Sequence, residues 1–128
     1  MDLETLRAYL LARPGAVEDH PFGPEPLVVK VGGKMFALVA TGERPPSVSL
    51  KCEPAQAQFL RDSYAAVRPG YHLNKQHWNT VTLDGSIPEE GIRALVDESY
   101  RLVVQGLSRA ARRRLAAGGA PAEPERLS

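Results

Sequence analysis

Leu27-Val28-Val29-Lys30-Val31-Gly32-Gly33-Lys34-Met35-Phe36-Ala37-Leu38-Val39-Ala40 is the stretch on which the fold turns. Two apolar runs rich in strand-forming residues flank a glycine pair, and glycine tolerates the positive φ of a tight hairpin turn. The reading is a strand over 27–31, a turn at 32–33 and a second strand over 34–40.

Outward from this hairpin, 41–46 is a polar connector. Ser47-Val48-Ser49-Leu50-Lys51 alternates with the period of a third strand, Val48 and Leu50 inward and Ser47, Ser49 and Lys51 outward. A fourth strand runs from Trp78 to Leu83, with Trp78, Thr80 and Thr82 on one face and Asn79, Val81 and Leu83 on the other, ending at Asp84-Gly85. Three helical patterns surround these strands. Residues 2–13 place Leu3, Leu6 and Leu10 on one face, with Asp2 as N-cap and Pro14-Gly15 as the stop. Pro54 opens a second helix to about Val67, striped by Phe59, Leu60, Tyr64 and Val67. Pro88 opens the third, where Glu89 and Glu90 suit its N-terminal dipole. Ile92, Leu95, Val96, Tyr100, Val103 and Leu107 form its inner stripe, and Arg109, Arg112, Arg113 and Arg114 fall near its C-terminal end. Residues 16–26, with three prolines, read as an irregular loop whose Phe22 plugs the core. The order αβββαβα predicts an α+β fold: one domain over residues 1–115, an antiparallel sheet with packed helices. The Ala, Gly, Pro and Glu composition of 116–128 predicts a disordered tail.

A chain of 128 residues with 43% apolar and 24% charged content fits one ordinary globular domain. It has no apolar run of the ~20 residues that a membrane span needs, and Met1-Asp2-Leu3-Glu4 is unlike a secretory leader. The single cysteine, Cys52, has no internal disulfide partner. A cytoplasmic protein is the simplest expectation. The net charge of +1 is unevenly spread. Removing the five arginines and two glutamates after position 108 from the totals of 16 and 15 leaves 11 basic against 13 acidic residues. Residues 1–108 therefore carry −2 and the remainder +3. A duplex-binding surface on the body must then be a local patch.

The densest polar and aromatic stretch is Pro69-Gly70-Tyr71-His72-Leu73-Asn74-Lys75-Gln76-His77-Trp78-Asn79-Thr80. His72 and His77 do not share a helical face, and no third ligand follows from nearby spacing, so no metal or other cofactor is expected. Cys52 lies at a strand end as a small hydrophobe, not as a marked nucleophile. Gly32-Gly33-Lys34 lies inside a hairpin and lacks the spacing of a phosphate loop. No catalytic residue is expected. Lys75, His77, Asn74, Asn79 and Trp78 do combine phosphate donors, amides able to bond base edges and one ring able to stack. The plainer alternative is that Tyr71 and Trp78 anchor the loop while Asn74 and Asn79 bond its backbone.

The run Pro-Gly-Tyr-His-Leu-Asn-Lys-Gln-His-Trp-Asn-Thr-Val at 69–81 resembles the hallmark of the MmcQ/YjbR family of small bacterial proteins. Pro21-Phe22-Gly23, Gly33 to Val39, Ser49-Leu50-Lys51-Cys52 and Ser99 to Val103 match as well, so the resemblance extends from the first helix to about Arg114. It implies a frataxin-like (CyaY-like) fold with a curved sheet that has been compared to a double-wing DNA-binding module. It carries over no catalytic residue or cofactor.

Together these readings predict a small non-enzymatic module, a monomer or weak dimer, that binds DNA through the sheet face and the 69–80 loop. Its contacts would be Lys51, Tyr71, His72, Asn74, Lys75, His77, Trp78 and Asn79. The alternative is a protein- or small-ligand-binding module in which that loop forms the pocket.

Overall fold

The computed structural model describes residues 1–118. The elements in chain order are α1 (Leu3–Leu11), β1 (Val17–Asp19), β2 (Leu27–Val31), β3 (Lys34–Ala40), β4 (Ser47–Lys51), α2 (Pro54–Ser63), β5 (Val67–Pro69), β6 (Trp78–Thr82), α3 (Glu89–Gln105) and α4 (Arg109–Ala116). The six strands form one antiparallel sheet in the order β1-β2-β3-β4-β6-β5. The α+β architecture expected from the sequence is present, with two short edge strands and a fourth helix added.

Each addition has a physical cause. β1 forms within the stretch expected to be a loop because Glu18 and Asp19 find partners: the Arg7 guanidinium and the His20 ring for Glu18, the Lys30 ammonium for Asp19. β5 forms because α2 stops at Ser63, four residues short of the expected end. Val67 then pairs with Val81. Phe59, expected on the buried stripe of α2, points outward at 61% exposure, and Ala57 and Leu60 are buried instead. α3 ends at Gln105 and the arginine segment restarts as α4, because Gly106 caps α3 and the Ser108 hydroxyl accepts the Ala111 amide. Leu107, between the two helices, is buried where a Cβ on Gly32 would sit 2.6 Å from Leu107 Cδ1. Gly32 and Gly33 have φ of +59° and +83°, as the hairpin reading requires. The tail expected from residue 116 falls almost wholly on 119–128, outside the described residues.

One hydrophobic cluster joins Leu6 and Leu10 of α1, Ala57 and Leu60 of α2, and Ile92, Val96 and Val103 of α3 to Val29, Val39, Val48 and Val81 of the sheet. The helices thus cover one face of the sheet. α3 is tied down by Ser99, which is fully buried. Its hydroxyl donates to the Phe36 carbonyl at 2.6 Å and accepts the Lys51 amide at 2.8 Å. Ala37 and Leu50 are the last register pair of β3 and β4 on that side, so Ser99 takes the place of the next ladder bond. Strand alternation turns Val28, Leu38, Ser49 and Thr80, one register row across β2, β3, β4 and β6, to the other face. That second face positions the candidate site.

Candidate functional site

The second face is a groove of about 750 Å³. Met35, Leu38, Ala40, Ser47, Ser49 and Thr80 line it from the strands. Phe22, Glu25 and Pro26 come from the segment between β1 and β2, Gly42 and Glu43 from the β3–β4 loop, and Tyr71, His72 and Leu73 from the segment after β5. Arg68 of β5 completes the lining. Ser47 and Ser49, expected to face outward, do occupy this face. They are nevertheless only 4% exposed, with the Ser47 hydroxyl donating to Glu43 and the Ser49 hydroxyl paired with Thr80. Phe22 does not plug the core; it stands at the groove 69% exposed, as Tyr71 does at 63%.

Thr80 organises the polar part of the floor. Its hydroxyl pairs with Ser49 Oγ at 2.7 Å and accepts the Tyr71 amide at 3.1 Å. The chain can fold back this way because Gly70 has no side chain: a Cβ there would lie 2.8 Å from Trp78 Cβ and 3.0 Å from Trp78 O. The Gly70 amide donates to that same carbonyl at 2.9 Å. His72 then takes a φ of 60°, a left-handed conformation uncommon for a residue with a side chain. Its ring centroid lies 3.9 Å from that of Tyr71. Such local strain is found where surrounding structure holds a loop in a set shape.

The expected site residues divide into three groups. Tyr71 and His72 line the groove. Asn74, Lys75 and Asn79 are engaged within the protein. Asn74 Oδ1 accepts the Gln76 and His77 amides at 2.9 and 3.3 Å, the local turn that asparagine favours. Lys75 Nζ donates to the Gly70 carbonyl at 2.9 Å. Asn79 is 3% exposed on the helix side, accepting from Arg61 Nε at 2.7 Å and donating to the Ala57 carbonyl at 3.2 Å. Lys51, His77 and Trp78 form the third group, outside the groove lining. Lys51 and Trp78 are register partners at the far end of the β4–β6 pair, and the His77 carbonyl accepts the Cys52 amide at 2.8 Å.

Sequence reasoning missed Arg61, whose guanidinium also donates to the Lys75 carbonyl and so clamps the loop from α2. It also missed Arg68, which immediately precedes the motif, and Glu25 and Glu43, which lie far from it in sequence. The available signal was the hydroxyl row Ser47, Ser49, Thr80, Thr82: four small polar residues on one face of adjacent strands mark a face without a helix.

A second cavity of about 420 Å³ lies between α2 and α3 and is lined by Cys52, Lys51, Glu53, Gln56, Asn79 and Glu98 among others. Burial pushes the Cys52 thiol above its ordinary value, and the Glu98 carboxylate adds to the shift. The thiol is therefore held protonated and poorly nucleophilic. Among the described residues, no three His, Cys, Asp or Glu side chains are grouped closely enough to hold a metal ion. No helix among them is long and apolar enough to cross a membrane.

A family model described as YjbR matches residues 11–102. The Escherichia coli (strain K12) protein YjbR, itself uncharacterised, is 43% identical over 104 residues, covering 81% of this chain and 88% of that protein. The uncharacterised protein YbdF of Escherichia coli O157:H7 is 36% identical over 115 residues, 90% of this chain and 94% of that one. Among solved structures, Deinococcus radiodurans protein DR2400 superimposes with a TM-score of 0.84 at 40% identity, covering 90% of this chain and 88% of its own. A Pseudomonas syringae protein matches with a TM-score of 0.70 at 27% identity, over 80% and 98% of the two chains.

Proposed function

This chain belongs to the YjbR family, and we propose that it is a small-ligand-binding module whose site is the groove on the helix-free face of the sheet. The observation that carries this reading is the groove itself: a concave, mostly apolar space of about 750 Å³ with a few polar groups converging on its floor. Sites for small molecules have this composition and size. The expectation that the 69–80 loop forms the pocket is kept in narrower form, with Tyr71, His72 and Leu73 as its contribution.

The test is calorimetric titration of the full chain with candidate ligands, alongside the variant Leu38→Trp, which fills the middle of the floor. Ligand heat lost in Leu38→Trp, with its circular dichroism unchanged, supports the groove. Undiminished binding in a folded Leu38→Trp protein refutes it.

DNA binding through the sheet face and the 69–80 loop is the second reading. The charge that favours DNA lies off that face, on the four arginines of α4, Arg109, Arg112, Arg113 and Arg114, which have no acidic partner among the described residues and do not line the groove. Against it stand Glu25 and Glu43 at the groove. Fluorescence anisotropy of labelled duplex at low and near-physiological salt separates the two readings. Salt-sensitive binding weakened by Lys75→Ala or Lys51→Ala supports DNA on the sheet face; binding weakened only by arginine substitutions in α4 moves the contact there.

A further inference from the structure

We propose that the groove selects a small zwitterion with an apolar body, a short peptide or peptide-like molecule. Its ammonium lies at Glu25 and Glu43 and its carboxylate on Arg68. This rests on the reading of the groove as a ligand site.

The charges around the groove carry the argument. Glu25, Glu43 and Arg68 all line it, and none has an oppositely charged partner within ion-pair distance among the described residues. Other exposed carboxylates, such as Glu4, Glu53 and Glu90, are unpaired too among the described residues, so what sets the groove charges apart is their convergence on one apolar space. Two of the three groove charges are held in place by hydroxyls that leave the charge uncompensated. Glu43 Oε1 accepts from Ser47 Oγ at 2.9 Å, and Arg68 donates to Thr82 Oγ1 at 2.6 Å. The Glu25 carboxylate lies directly over Gly42, in the space a Cβ would occupy, so the two acidic groups converge on one end of the β3–β4 loop.

Spacing then sets the size of the ligand. Ser47 and Thr82 are register partners on adjacent strands, with backbones about 5 Å apart. The Glu43 carboxylate hangs from one hydroxyl and the Arg68 guanidinium from the other, which separates the two charges by roughly 5–10 Å. An extended chain advances about 3.5 Å per residue, so an ammonium and a carboxylate at that separation are the ends of two or three residues. Between and beside the charges, Met35, Leu38, Pro26, Phe22 and Leu73 present apolar surface, which suits apolar side chains. Two carboxylates against one guanidinium disfavour a polyphosphate, whose charges would meet Glu25 and Glu43.

The experiment is calorimetric titration of the full chain with a panel of apolar di- and tripeptides, each also as its N-acetyl and its C-amide form. Nile red, a neutral apolar dye, reports on the groove independently of charge. At least one free peptide should bind, and capping either end should weaken it by about 10-fold or more, the scale of one lost charge-assisted hydrogen bond. Arg68→Gln should abolish the penalty for the C-amide and leave that for N-acetylation. Glu43→Gln should reduce the N-acetyl penalty and leave that for the amide. Peptides that bind equally well capped and free overturn the zwitterion while leaving the groove intact. Dye binding that Leu38→Trp removes, without binding of any peptide, does the same. If neither dye nor peptide binds, the groove reading falls with it.

Discussion

The Thr80 hydroxyl accepts the Tyr71 amide at 3.1 Å, and through this bond the loop that walls the groove is fastened to its floor. The same hydroxyl pairs with Ser49 Oγ at 2.7 Å, in a site where both residues are at most 4% exposed. Thr80→Val keeps the shape and removes both bonds, leaving the Ser49 hydroxyl buried and unpaired. A loss of about 1–3 kcal/mol in unfolding free energy is expected. Adding Ser49→Ala removes the orphaned group, so the double variant should lose less than the sum of the two single losses. Urea unfolding of the four proteins in the cycle checks this, and additive losses would show that the two hydroxyls are not coupled.

Two glycines should respond in opposite ways to the same methyl group. At Gly70 a Cβ would stand 2.8 Å from Trp78 Cβ and 3.0 Å from Trp78 O. Gly70→Ala must push the loop away from β6 and should cost about 1–3 kcal/mol. It should also weaken any groove ligand, because Tyr71 and His72 follow directly. At Gly106 the nearest atom lies 3.6 Å away and the backbone has a φ of −86°, which any residue adopts. Gly106→Ala should leave stability unchanged or raise it by up to ~1 kcal/mol through the unfolded chain. Thermal melts of the two variants decide it; equal shifts would discredit the close approach at Gly70.

These contrasts also explain how much was legible in the sequence. The hairpin at 27–40, the alternation of β4 and β6 and the inner stripe of α3 were readable because each signal is local and periodic. β1 was not, since a three-residue edge strand held by Arg7, His20 and Lys30 leaves no periodic trace. The length of α2 was over-read because Tyr64 and Val67 continue its apolar spacing, although pairing of Val67 with Val81 wins over another helical turn. The motif at 69–81 was found as a motif, but its division into groove wall and internal brace was hidden. Asn79 looks like a ligand contact in sequence and is satisfied internally by Arg61 and Ala57, whereas Lys75 is exposed and gives one of its three donors to the Gly70 carbonyl. Glu25, Glu43 and Arg68 meet around the groove only through the strand order.

Cys52 should be a slow thiol. It is 5% exposed, and burial followed by the Glu98 carboxylate raises it above its ordinary value. Alkylation by iodoacetamide at mildly alkaline pH should run roughly tenfold or more slower in the folded protein than in urea, because only the exposed thiolate reacts. Glu98→Gln should speed the folded reaction modestly by removing a charge that opposes thiolate formation. Equal rates in folded and unfolded protein would mean that the cavity between α2 and α3 admits the reagent freely.

Acid should loosen the β1 edge first. Burial alone would raise the Glu18 carboxyl, but hydrogen bonds from His20 and Arg7 outweigh it and hold the group below its ordinary value of 4.5. The hydrogen bond from Lys30, then that from the His20 amide, lowers Asp19 from 3.8. Both groups bind fewer protons folded than unfolded, so their stabilisation is fully present above the unfolded values and is lost as pH falls through the lowered folded ones. The urea midpoint should therefore decline as pH drops below about 4.5, in the range where unfolded carboxylates take up protons. Asp2, Asp84 and Glu98 are lowered as well and share in the acid slope, so Glu18→Gln should start with a lower midpoint at neutral pH and fall only somewhat less steeply on acidification. Amide exchange at Val17 to Asp19 should quicken over the same range, ahead of that at Val39 and Val48, which pair centrally between β2, β4 and β6. A Glu18→Gln protein with an unchanged acid slope would place the acid sensitivity elsewhere and leave the β1 pairs as surface contacts of little consequence.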